Sequence, residues 1–594
     1  MRVASSGLAG FAVVVALALT GCGGSDGGGA DGAGSATAER ASTQEGAGGG
    51  ASSARQGGVL RIGTIDPIAS FNPYLALTIQ SAVALNAVYP TLMQMSYTRG
   101  EGYRPSPDLA ESWTVSRDGR RVTFKLRDDA RWSDGEPITA ADAAWTLNTT
   151  IKFADGPTGQ QSSYVEGMRK ATAVDPTTLV IDYPKAQPNT LMLLASGFSM
   201  LPRHVWAEQA AGDGRGLRTF QPDKAPGGLV GGGPYLLKEY DKKGTTAYVR
   251  NPDYYGAASN ADAVAVTYYT GADAMVQDFR SGQLDFMERV PTTAVSAVED
   301  TDGATIVAAA SEMQADLFFN SNPRKPRNRE LLEPAVRTAL AMCVDRAQIR
   351  DVVFAGYANE VETLVGTLAG DDYNASLRRP YDCDRANAEL DRLGFRRGSD
   401  GIRVVPATSG AHAQPAHPMD YEVATESSGS QSYNQDRTVA ILRENLARIG
   451  VRVRQRVIGD ETTTWTYISG EDCDGATSRG YEQFDMSAFT SYAEIDALDT
   501  LSGELKQTWC AWNFSGSDNP RYDALYERAS RETDDARRRQ MVLELQRIYF
   551  DTGALLALAE GTNITAHSSR WTGFAPAELS GSSPRFYTDP HLAG

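Results

Sequence analysis

Cysteine and histidine are the residues best able to do chemistry, and this chain has five of each. The histidines are His204, His412, His417, His567 and His591. His412 and His417 flank Pro415 in a loop-like run, so they share no helix face and make no metal site. From Gly58 onward there is no G-x-S-x-G nucleophile elbow, no H-E-x-x-H zinc motif and no G-x-x-x-x-G-K-[ST] phosphate loop. Gly231, Gly232 and Gly233 form too short a run for a phosphate loop, and they lead toward a strand rather than a helix. An enzyme is not expected, nor a cofactor. What is left is the chemistry of thiols and carboxylates. Cys343, Cys383, Cys473 and Cys510 lie in the body of the chain, and four cysteines in an oxidising compartment allow three pairings. Cys473 and Cys510 both sit in polar, loop-like sequence (GEDCDG and QTWCAWN), so the expected bridge is Cys473–Cys510. Cys343 stands on a helix face with Val336 and Leu340. For it and Cys383, a buried thiol and a bridge both stay open.

The fifth cysteine belongs to a leader. Residues 8–20 (LAGFAVVVALALT) form an apolar run of about 13 residues, where a membrane-spanning helix needs about 20. Behind Arg2 it reads as the apolar region of a secretory signal. Leu19, Thr20, Gly21 and Cys22 then resemble a bacterial lipobox. This implies cleavage of residues 1–21 and a lipid on the Cys22 thiol, which anchors the chain on the outer face of the cytoplasmic membrane. Residues 23–57 are dominated by glycine, alanine, serine and threonine, with no aromatic. Such a stretch buries no core and reads, with Cys22, as a disordered tether over 22–57, reaching roughly 30–35 Å. The formal charge of -17 argues against nucleic acid as a partner, because a basic stripe is what binds phosphate.

The elements beyond the tether alternate between the two periodicities. Val59 to Gly63 reads as a strand. Residues 81–95 are helical in part, with Pro90 ending the run. Trp113 to Val115 and Val122 to Arg127 alternate apolar with polar around Asp118-Gly119, which predicts a β-hairpin. A second Asp-Gly turn follows at Asp134-Gly135. Thr139 with Asp142 then reads as a capping box that starts a helix through Trp145 and Leu147. Helices are predicted over 330–353, 435–449 with Gly450 as its cap, and 535–550. Strands are predicted after the last two, over 451–457 and 554–559. Helix followed by strand marks an α/β fold.

Several of these segments, in order, resemble the family 5 solute-binding proteins of ABC importers, the oligopeptide, dipeptide and nickel-binding group. The resemblance is carried by PDLAESW at 107–113, the hairpin, WSDGEPITAAD at 132–142, GGGPY at 231–235 and RNPDYY at 250–255. RSGQLD at 280–285 continues it. So do Phe319-Asn320 with Val336-Arg337 and Val344-Asp345-Arg346, Tyr381-Asp382 to Leu393-Gly394, and Asn513 to Gly516. It implies a two-lobed periplasmic-binding-protein fold of the cluster C, type II-like kind, with an extra subdomain inserted in the first lobe. Laid on this chain, domain I comprises 58–80, 225–310 and 545–594, domain II 81–224, and domain III 311–544. It also implies a monomer that closes over a peptide and delivers it to permease subunits driven by a cytoplasmic ATPase. A nickel chelate, another non-peptide solute, or a peptide-signal receptor is the alternative.

The same resemblance supplies candidate ligand residues. Family peptide binders hold the ligand ammonium with an aspartate near a G-W-x-A-D motif. The matching stretch here is 484–496. It places Glu494 at the acidic position, or Asp496 on a one-residue shift, and Ser491 where tryptophan is usual, with Tyr492 beside it. Phe489 and Trp465 are expected to wall side-chain pockets. Phe71 and Asn72 are expected where the N-terminal segment of the family touches ligand.

Overall fold

The computed structural model describes residues 56–593, apart from 77, 99–101, 188–189, 411–412, 428–432, 461–462, 465–466, 469–483, 494–495, 509–512 and 575–588. Cys22 with the leader and tether, the Cys473–Cys510 pair, Trp465, Glu494 and His412 therefore lie outside the described residues. Among the described residues no helix is long and apolar enough to cross a membrane.

Two long strands organise the body. Ala304–Phe319 and Leu555–Ser568 run antiparallel for almost their whole length. On the outer side of Ala304–Phe319 lie Met486–Tyr492, Asp420–Glu426 and Arg452–Gly459. On the outer side of Leu555–Ser568 lie Phe286–Met287, Val59–Thr64, Ala263–Tyr268, Thr245–Arg250 and Tyr235–Glu239. With Ala358–Asn359 paired to Leu555–Ser568, these make one 11-stranded sheet. The central ladder has two blocks: Ala304 to Ala310 pairs with Ser568 back to Thr562, and Gln314 to Phe318 pairs with Glu560 back to Leu555. The register shifts between them and again between Ala315 and Asp316. Bulges of this kind bend a strand pair, and here they separate two sheet halves that the same two strands join.

The later half is a layered α/β unit. One face packs Val336, Leu340, Val439 and Leu442 from helices Pro334–Met342 and Gln435–Ala447. The other packs Leu498, Leu525 and Leu545 from helices Ala497–Ser502, Pro520–Ala529 and Asp535–Thr552. A sheet covered on both faces reads as apolar runs, which is why Leu555 to Ala559 shows no alternation. The earlier half shares a continuous core with residues 110–217. There a four-stranded sheet holds Ala110–Val115, Arg121–Leu126, Thr178–Asp182 and Lys170–Asp175 in spatial order.

The hairpin forms as expected, with Trp113 opposite Phe124 and Gly119 at φ 64° in its turn. Helix Ala140–Lys152 starts at the expected capping box: the Thr139 amide donates to Asp142 at 2.9 Å, and Thr139 accepts from Ala141 at 3.3 Å. Two expected elements differ. The helix over 330–353 is broken: Pro334–Met342 stops at Cys343, and Arg346–Val353 restarts where Asp345 accepts from the Gln348 amide at 2.9 Å. An aspartate that bonds the backbone ahead of it begins a helix more readily than it continues one. The strand over 554–559 extends to Ser568, because its second half finds a partner in Ala304 to Ala310. The expected boundaries at 80/81, 310/311 and 544/545 fall inside helix Ile79–Val88, strand Ala304–Phe319 and helix Asp535–Thr552. Cys343 and Cys383 are bridged, with Cα atoms 4.4 Å apart.

Candidate functional site

Strand direction locates the site. Ala304–Phe319 runs from the earlier half of the sheet into the later one. Its antiparallel neighbour Met486–Tyr492 therefore runs back toward the junction, and so do Asp420–Glu426 and Arg452–Gly459, which are parallel to each other and to Met486–Tyr492. Leu555–Ser568 runs the opposite way, so Phe286–Met287 and, parallel to it, Val59–Thr64 and Ala263–Tyr268 also run toward the junction. Both halves thus present strand carboxyl ends to one crevice, crossed by the two long strands. Ligands of open α/β sheets bind outside strand carboxyl ends, where backbone groups and loops are available.

On the earlier half those ends carry Asp66 and Glu288. Asp66 accepts from the Gln80 amide at 3.3 Å, at the start of helix Ile79–Val88. Burial pushes the Glu288 carboxyl up to about 7, with a hydrogen bond from Thr64 opposing the shift. On the later half the ends carry Phe489, Ser491 and Tyr492. Tyr492 is 54% exposed, a large aromatic left at a strand end. Ser491 is half-buried, and its hydroxyl donates to Asp316 on the adjacent strand. Phe489 is buried against Phe514, ring centroids 5.3 Å apart. Asp496 is half-buried and caps helix Ala497–Ser502, accepting from Leu498 at 2.9 Å. Desolvation raises its pKa. Four of the expected residues thus gather at one sheet end and the helix that follows it.

Phe71 and Asn72 have other work. Phe71 is fully buried, edge-on to Tyr240 at 5.1 Å and Tyr248 at 6.2 Å. Asn72, also fully buried, donates to the Leu217 and Phe220 carbonyls at 2.7 and 2.9 Å and accepts from Tyr74 at 2.9 Å. These contacts pin the segment after the first strand to the neighbouring core.

The residue that reading by motif missed is Asp316. It is fully buried, accepts from Ser491 and, at 3.1 Å, from Gln314, and burial pushes it up to about 7. Its signal is in the sequence: Gln314 and Asp316 alternate through the otherwise apolar run before Phe319, putting two polar groups on one face of a buried strand. Glu504 and Glu560 are buried nearby in the same layer of the fold. Burial raises Glu504 to about 8 and lifts Glu560 as well. A separate cavity of about 480 Å³ on helix Ala140–Lys152 is lined by Trp145, Asn148, Lys152, Phe153 and Arg203 among alanines. It holds none of the strand ends. Among the described residues no group of three His, Cys, Asp or Glu is placed to hold a metal ion.

The comparisons agree with this architecture. Residues 104–493 match the model of "Bacterial extracellular solute-binding proteins, family 5 Middle". The probable peptide-binding protein YejA of Agrobacterium fabrum is 24% identical over 453 residues, covering 68% of this chain and 69% of the relative. Among solved structures, the periplasmic binding protein DppA of Helicobacter pylori with the peptide STSA aligns with a TM-score of 0.64 at 19% identity, covering 91% of this chain and 99% of that one. NikZ of Campylobacter jejuni with Ni(L-His) aligns at 0.65 and 18%, covering 90% and 99%. The chain belongs to the bacterial extracellular solute-binding proteins of family 5, which are two-lobed binding proteins of ABC importers and not enzymes.

Proposed function

We propose that this chain captures peptides between its two lobes at the outer face of the cytoplasmic membrane, held there by a lipid on Cys22, and passes them as a monomer to permease subunits driven by a cytoplasmic ATPase. The observation that carries the reading is the crevice, where strand ends of both halves meet. On one side they offer an exposed tyrosine, a half-buried serine and a following acid, Asp496. An extended peptide needs backbone partners along its length and a carboxylate for its ammonium. Tyr492 and Ser491 supply contacts for the first, and Glu494 or Asp496 the second, with Phe489 and Trp465 walling a side-chain pocket. The likeness to YejA, a probable peptide-binding protein, supports peptide as the solute; the Ni(L-His) ligand of NikZ is the reason to test it.

The test is calorimetry of the chain without its leader against short peptides with free or acetylated N-termini. Free peptides are expected to bind, and acetylated ones to bind more weakly. The pair Glu494→Gln and Asp496→Asn together should weaken binding by more than about 1 kcal/mol, the scale of a lost charged hydrogen bond. A chain that ignores peptides but retains a non-peptide solute from the cell overturns the reading. Cys22→Ala should release the protein from membranes and abolish incorporation of labelled fatty acid. Continued membrane retention would remove the anchor.

A further inference from the structure

Three carboxyl groups of the later half lie close behind the crevice, and no ion pair among the described residues joins them to a cation. Asp316 is held by the Ser491 hydroxyl and the Gln314 amide. Glu504 accepts from Ser515 at 3.2 Å and feels the charge of Asp316. Glu560 accepts from the Thr367 amide and hydroxyl, both at 2.6 Å, and from Asn359 at 2.8 Å. A buried carboxylate without a counter-charge is disfavoured in its ionised form. A fold keeps such groups where a positive partner arrives from outside, or where a proton stays.

Two further side chains point to the first. Among the described residues, the Tyr433 hydroxyl and Gln314 Oε1 are buried without a hydrogen-bond partner. The other end of the Gln314 amide is bonded to Asp316, and Tyr433 lies within electrostatic reach of Asp316 and Glu426. Buried polar atoms in native folds are nearly always paired, so two orphans beside an uncompensated acid mark a place for a ligand atom. Access is short. Asp316 lies one hydroxyl beneath the half-buried Ser491, next to the exposed Tyr492, at the rim of the crevice. The carboxylate of Asp316, the amide oxygen of Gln314 and the phenol oxygen of Tyr433 are three acceptors, and an ammonium head has three donors to give.

We infer that Asp316, with Gln314 and Tyr433, receives the positive head of a ligand side chain, so that the peptides preferred are those carrying lysine or arginine. This rests on the peptide reading above and names the class of peptide. A cation settling on Asp316 favours its ionised form, so the acid's proton passes to the solvent as the basic peptide binds.

The experiment is calorimetry on the whole body at pH 8 with Ala-Lys-Ala and Ala-Arg-Ala beside the neutral Ala-norleucine-Ala. Basic peptides are expected to bind about tenfold tighter, the scale of one charged hydrogen-bonded contact. Asp316→Asn should erase that preference, read as the ratio of basic-peptide to neutral-peptide affinity. A second readout needs no variant: at pH 6, in buffers of different ionisation heat, basic peptides should release more protons than the neutral peptide. Equal affinity of lysine and norleucine peptides in the unaltered protein overturns the subsite and leaves the peptide reading standing. So does a proton count that is the same for both. Failure of every peptide to bind removes both readings together.

Discussion

Asp316 is a fully buried acid at a register break of the central ladder, and burial decides its protonation. Its carboxyl sits up at about 7 and that of Glu504 at about 8, in each case because burial penalises the charged form. Their unfolded values lie near 3.8 and 4.5. Between those limits the folded chain binds more protons than the unfolded one, so this contribution to stability is full below about pH 4 and is lost as the pH rises through 7 to 8. Other groups work the other way: the Arg537 side chain holds Glu532 down at about 2. The test is therefore a difference. Urea midpoints of Asp316→Asn and Glu504→Gln should fall less steeply with pH between about 5 and 8 than those of the unaltered chain. Parallel profiles would mean that both carboxylates are already ionised in the fold.

At the scale of elements, the bridge between Cys343 and Cys383 ties the end of helix Pro334–Met342 to the first residue of helix Cys383–Arg392. It closes a span of 40 residues, which in the chain-entropy model stabilises by about 4 kcal/mol. Replacing both cysteines by alanine should lower the unfolding free energy read from urea denaturation by a matching amount. A double variant as stable as the parent would show that the bridge constrains little. The break at Cys343 also serves the crevice, since Asp345 redirects the chain into Arg346–Val353 and Arg346 reaches Glu362 at 2.8 Å, one residue before the Thr363 carbonyl that accepts from Gln314.

At the scale of the whole molecule, two strands connect the halves, and the ladder between them is interrupted where it passes from one to the other. A pair of strands with a bulged junction bends at lower cost than a packed core deforms. A ligand that touches both strand-end sets gains more from the closed form than from the open one, and so shifts the population toward closure. X-ray scattering of the body with a bound peptide should report a smaller radius of gyration than without it. An unchanged profile at saturating peptide would place the binding on one lobe alone.

The sequence by itself determined what depends on neighbours along the chain. The hairpin at Asp118-Gly119, the capping box at Thr139 and the helix Gln435–Ala447 ending before Gly450 at φ 76° are set by hydrogen bonds and periodicities spanning a few residues. Family motifs spread along the chain carried the two-lobed architecture as well. The site was only partly legible. Ser491, Tyr492 and Asp496 stand in one recognisable stretch and fall at one sheet end and the cap of the helix after it, whereas Phe71 and Asn72 turned inward because partners far along the chain, Tyr240, Leu217 and Phe220, were there to receive them. Tertiary structure alone decided the Cys343–Cys383 pairing and the place of Asp316 under Ser491, 175 residues away. The physical reason is that a buried charge or a bridge is defined by which strands and helices become neighbours, and pairing between distant segments leaves no periodicity in either of them.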